Sequence, residues 1–145
     1  MIRSIARVFF AAIFLVPGLF HIADTTSFAW QIAQYQLVDF RLATWMAAPL
    51  AIIEILLASA FLLERSNSWV FLLSAGLLAV FSLATGVALG NGRVISCGCL
   101  GSHSPELSWG HLLGLLGLTC VAARLAMKPR IAGEVPQWAD QRGRR

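Results

Sequence analysis

Two cysteines stand one residue apart in the short polar stretch Ser96-Cys97-Gly98-Cys99-Leu100-Gly101 of an otherwise apolar chain. Thiols at this spacing can close a small disulfide ring, and Gly98 relaxes the backbone between them. Such a ring is tight, and strain raises the reduction potential of a disulfide. A permanent staple would gain little, because the stabilisation attributed to loop closure falls as the loop shortens. The pair Cys97 and Cys99 therefore reads as one that is exchanged during function. The attacking species is a thiolate. Arg93, His103 and a helix start beyond Ser104 are the features able to stabilise it, with Gly98 and Gly101 giving the backbone its freedom. A competing set for Zn or Cu(I) is Cys97, Cys99 and His103 with His111 or His21. The Cys-x-Cys spacing is shorter than the usual zinc knuckle, which ranks metal binding below redox chemistry, and no metal site is assigned.

The elements that must position these thiols are membrane helices. Of the 145 residues, 58% are hydrophobic and only 12% charged, too apolar for a soluble domain of this size. Four apolar spans, at about 5–22, 43–63, 69–90 and 107–127, each approach the roughly 20 residues that cross hydrocarbon as a helix. No period-two alternation of a barrel strand is present. The expected fold is an all-α, four-helix antiparallel membrane bundle over residues 1–127. A mostly unstructured cytoplasmic tail is expected over 128–145.

Charge orients the bundle. Arg3, Arg7, Arg65, Arg124, Lys128, Arg130, Arg142, Arg144 and Arg145 fall on one side of the spans, and only Arg41 and Arg93 on the other. Excess basic residues mark the cytoplasmic side, so both termini are expected there, with the chain in a cell inner membrane and the cysteines facing outward. That side is the oxidising one in a bacterium. The net charge of +4 is a topology signal and implies contact with the bilayer, with no nucleic-acid partner. The charged N-terminus followed by an apolar run has the form of a signal peptide, but small residues are not well placed after Phe20. A retained first helix is the expectation.

Between the first two spans, Phe28, Ile32, Tyr35 and Asp39 recur at helical spacing, and Asp24 to Ser27 offer capping oxygens. A short amphipathic helix is expected on the outer surface, beside the cysteine stretch, with Trp30, Tyr35 and Trp45 at headgroup level. Glu54 lies near the middle of the second span, where an ionised carboxylate is expensive unless paired or protonated. It is either a lock, bonded to Arg7, a serine or a carbonyl, or a proton or ligand site. His21 and His111 sit near the outer interface. Gly86 and Gly90, and Gly110, Gly114 and Gly117, fit small-xxx-small packing and predict close contact between the last two spans. Ser104-Pro105-Glu106 reads as the start of the last helix. Cys120, deep in that helix, reads as a small core residue.

Cys97-Gly98-Cys99-Leu100-Gly101 ahead of a last span, Gly18-x-x-His21-x-x-Asp24 leading to Phe28, Ile32 and Tyr35, and Pro49 ahead of Glu54 resemble the DoxX-related MauE membrane proteins. The likeness covers nearly the whole chain except the tail. Leu100 stands where Phe is usual, and His21 where a Lys is common in the wider DoxX group. The resemblance implies four helices, an outward Cys-x-Cys and a periplasmic thioredoxin-like partner. It also implies a part in maturing methylamine dehydrogenase, whose small subunit needs many disulfides. The combined expectation is a thiol–disulfide oxidoreductase that exchanges its single pair with such a partner or with a disulfide-containing client. Cys97 and Cys99 would be the reacting residues, and Gly98, Gly101, Arg93, His103, Glu54 and His21 would support them. Only Cys120 remains beyond that pair, so an internal two-pair relay is excluded, and a second protein or a quinone must reset it. The competing classes are a Cys/His metal carrier and a structural subunit of a membrane redox complex.

Overall fold

A computed structural model describes residues 2–63, 68–96 and 106–127. Five helices follow in order: α1 (Ile2–Ala23), α2 (Thr25–Gln34), α3 (Phe40–Leu62), α4 (Ser68–Gly90) and α5 (Trp109–Met127). All but α2 are long and apolar enough to cross a membrane. Hydrocarbon offers no partner to a backbone N–H or C=O, so such segments satisfy their own groups as helices. The polar residues among them do the same locally. Ser59, Ser74, Ser82 and Thr119 each donate a hydroxyl to the carbonyl four residues back, at 2.8 Å.

Short polar signals break the apolar runs. Asp24 leaves helical geometry at φ −138° and accepts from the Ser27 N–H at 2.9 Å, ending α1 and capping α2 in one residue. Those hydrogen bonds hold the Asp24 carboxyl below its usual range. Asp39 caps α3 in the same way through the Leu42 N–H at 2.9 Å. At the end of α4, Gly92 takes φ +66°, its N–H bonded to Leu89 O at 3.0 Å and that of Arg93 to Ala88 O at 3.1 Å. This pair of bonds is a Schellman stop, which needs glycine at the left-handed position.

Packing is pairwise and antiparallel. α1 and α2 share α3 between them. Phe10 and Phe14 stack on Phe61 near the end of α3, with ring centroids 5.7 and 6.4 Å apart. Phe28 and Ala29 of α2 bury against Ala47, and Trp30 packs on Phe40 at 4.3 Å, near the start of α3. Ala43, Ala47, Ala51 and Ala58 are almost wholly buried, so the inward stripe of α3 is built largely of small side chains that admit close neighbours. Phe71 brings α4 onto Phe61 at 5.1 Å and joins the halves of the core.

Three local expectations are revised. α2 does not lie only on the outer surface: it runs along the first half of α3, with Phe28, Ala29 and Gln31 buried. On α4 and α5 the glycines do not mediate the contact. A Cβ at Gly90, Gly114 or Gly117 would meet nothing within 4 Å, and one at Gly86 only Leu112 at 3.9 Å. The fifth helix touches the rest of the molecule along one stripe, with Ala122 its buried residue, so Cys120 is exposed on the outer face of the bundle.

Candidate functional site

Gly18, Glu54 and His21 build the first part of the site. A Cβ at Gly18 would come 3.0 Å from Ile55 Cγ1 and 3.2 Å from Glu54 Cβ, so only glycine lets α1 pass α3 this closely. One helical turn further, His21 reaches Glu54: Nδ1 lies 2.7 Å from Oε2, both residues being buried. The ring of His21 stacks on that of Phe28 at 3.6 Å, 4° from parallel, which fixes its plane. Glu54 is 14 residues along α3 from Phe40, about 21 Å at 1.5 Å per residue, so the pair lies well inside the membrane-spanning part. The hydrogen bond survives either placement of its proton, on the imidazole or on the carboxyl, and neither placement changes the net charge of the pair. An ionisable pair held this way avoids much of the cost of a lone charge in hydrocarbon. Of the partners considered for Glu54, the structure gives none of Arg7, a serine or a carbonyl; His21 takes that place.

From this pair a file of polar groups follows the inner face of α2. Gln31 is buried, and its Oε1 finds no hydrogen-bond partner. One turn on, Tyr35, the chain's single tyrosine, is mostly buried. Burial pushes its phenol up, and a hydrogen bond with Thr85 of α4 partly opposes that.

The second part of the site is the segment that carries the thiols. Cys97, Gly98, Cys99, Gly101 and His103 lie outside the described residues, but both ends of their segment are placed. Ser96 and Glu106 form an antiparallel bridge, and the Leu107 N–H donates to Ile95 O at 2.8 Å. The Schellman stop directs Arg93 off α4 into this short extended run. Glu106 therefore pairs in the bridge, and Ser108 is the α5 cap, its Oγ accepting from the His111 N–H at 3.2 Å. The expected helix start at Ser104-Pro105-Glu106 thus falls later in the chain. Beside the bridge opens a cavity of about 650 Å3 lined by Gln34 and Gln36 from the end of α2, by Arg93, Val94, Ile95 and Ser96, and by Glu106. Arg93 is half-buried and its Nε has no hydrogen-bond partner.

The structure so brings Arg93 to the foot of the cysteine segment and joins His21 to Glu54 deeper in the bundle. Sequence reasoning singled out all three but did not pair the last two. The available signal was Gly18-x-x-His21, which sets a close-approach glycine and a hydrogen-bonding ring on one face of α1. It missed Gln31, Gln34, Gln36 and Thr85, whose roles depend on how α2 lies on α3 and meets α4.

These features define a small multi-pass helical membrane protein with a protonatable pair in its interior and a thiol-bearing segment pinned at one end. The chain belongs to the family of the methylamine utilisation protein MauE, whose family model matches residues 1–127. Neither the comparison with curated proteins nor that with solved structures returned a match.

Proposed function

We propose that this protein exchanges disulfides between its Cys97–Cys99 pair and a thiol-bearing protein at the periplasmic face of the inner membrane. The observation that carries the reading is the Ser96–Glu106 bridge, which anchors the two ends of a segment with two thiols one residue apart. A client thiolate attacks one sulfur of the oxidised pair, the S–S bond breaks, and a mixed disulfide forms. The second client thiolate then displaces that sulfur, leaving the client oxidised and Cys97 and Cys99 as thiols. Two electrons have passed to the pair, and the thiolates take up two protons as they form thiols. A second disulfide-bearing protein or a membrane quinone restores the disulfide. Arg93 at the foot of the segment favours thiolate over thiol there. The nine-to-two distribution of basic residues supports cytoplasmic termini. The family name supports a place in methylamine utilisation, and the partner proposed with it is a periplasmic thioredoxin-like protein or a disulfide-containing client.

Single substitutions test the reading. Cys97→Ser or Cys99→Ser should strand the mixed disulfide, seen as a reductant-sensitive adduct on a gel, and thiol counting on the wild type should show two thiols appearing on reduction. Absence of any adduct from both variants, under conditions where the wild type is active, would overturn exchange. Stoichiometric zinc or copper that depends on both cysteines would replace it with a metal carrier.

A further inference from the structure

The cavity at the foot of the cysteine segment has walls of unusual composition for a membrane bundle: two carboxamides, a guanidinium, a carboxylate and a stretch of extended backbone. We propose that it is the docking groove for an extended segment of the client polypeptide, which pairs as an added β-strand with the free backbone edge at Val94 and Ser96. The inference rests on the exchange function proposed above and names how its client is held.

In a strand, backbone groups of successive residues point to opposite sides, and Ile95 turns its carbonyl toward Leu107, with which it bonds at 2.8 Å. Val94 and Ser96 on either side therefore present their N–H and C=O groups away from Leu107. Both residues line the groove, and Val94 is 78% exposed, so the edge borders open space among the described residues. An exposed edge of this kind is a template for another strand. Gln34 and Gln36, at and just beyond the end of α2, also line the groove, each able both to donate and to accept. Gln36 is held at φ +53°, where the chain turns out of α2. An extended peptide offers alternate N–H and C=O groups to one side, which matches a backbone edge, and leaves side chains within reach of the carboxamides. A small anion would match Arg93 alone and would meet the Glu106 carboxylate in the same groove.

Arg93 adds a cation to the same lining, able to donate to a peptide carbonyl. Because Ser96 immediately precedes Cys97, a strand laid on this edge brings the client cysteine to the reacting pair by chain geometry alone. The volume of about 650 Å3 lies in the range of sites that hold a few residues.

The test uses the oxidised full-length protein in micelles. The probes are short reduced peptides in which Thr and Val flank one Cys-Ala-Ala-Cys, N-methylated at one backbone position each, with dithiothreitol as the reference thiol. Rates of disulfide transfer should fall about tenfold for methylation at every second position and little at those between, since only alternate N–H groups face the edge. Val94→Pro should slow the unmethylated peptide by about the same factor, abolish the alternation and leave the dithiothreitol rate unchanged. Dividing each rate by that with glutathione disulfide removes the intrinsic reactivity of each peptide. Equal effects at all positions, or no effect, with dithiothreitol exchange intact, would overturn strand docking while sparing the exchange function. Failure of dithiothreitol itself to exchange would overturn the function and this inference with it.

Discussion

At the scale of the residue, the pairing of His21 with Glu54 decides most. Glu54 is a carboxyl inside an apolar span, and His21 meets it in one hydrogen-bonded unit at 2.7 Å. Removing one partner leaves the other without it in a medium that offers no water, a larger loss than that of the bond itself. His21→Phe, which preserves the stack on Phe28, and Glu54→Leu should each destabilise the bundle by about 2 kcal/mol. The double variant should lose clearly less than the sum, because it leaves neither group unpaired. Unfolding of the protein in mixed micelles by added sodium dodecyl sulfate measures all three, and additive losses would show that the two side chains do not act as a unit. Glu54 stood out in the sequence because a carboxylate inside a hydrophobic span demands a partner. The partner's identity was not legible, because His21 sits at the end of its span and Glu54 well inside its own. Their levels coincide only because α1 stops partway along α3.

That offset belongs to the scale of the element. The four spans were readable from apolar length, and α2 from Asp24 and the spacing of Phe28, Ile32 and Tyr35, since capping and helical period are local properties. Placement of α2 was not local. An amphipathic segment between two spans fits a membrane surface as well as a neighbouring helix, and the buried alanines of α3 decide for the neighbour by leaving room for Phe28 and Ala29. Glycine patterns misled for a related reason: small-xxx-small spacing marks a face able to pack closely, and on α5 that face stays open. Gly18, outside any such pattern in the sequence reading, is the glycine under compression. Gly18→Ala should therefore cost about 1 kcal/mol, because its Cβ meets Glu54 Cβ, which the bond to His21 holds in place. Gly114→Ala, with nothing within 4 Å, should cost nothing or stabilise α5 slightly. The same micelle unfolding assay compares the two, and equal effects would contradict the close approach of α1 to α3.

At the scale of the whole molecule, the structure fixes which segments share an end, and charge gives the side on which each end is expected. The aromatic cluster of Phe10, Phe61 and Phe71 places the first half of α1, the end of α3, the start of α4 and the end of α5 together, while Gln34, Arg93 and Glu106 gather at the opposite end. In the sequence, nine basic residues flank the termini and the link between α3 and α4, and two flank the other links. Translocating a short basic segment is disfavoured, so the second end, with the cysteine segment, should face the periplasm. The expectation can be read from whole cells carrying Cys120→Ala, reduced and then treated with a membrane-impermeant maleimide. Cys97 and Cys99 should label in intact cells, whereas a reporter introduced by Ser66→Cys into a background with Ser at positions 97 and 99 should label only after lysis. The reverse pattern would put the thiols in a reducing compartment, where a strained pair stays open. Oxidation of clients by this protein would then have no thermodynamic basis, so sidedness tests the chemistry together with the topology.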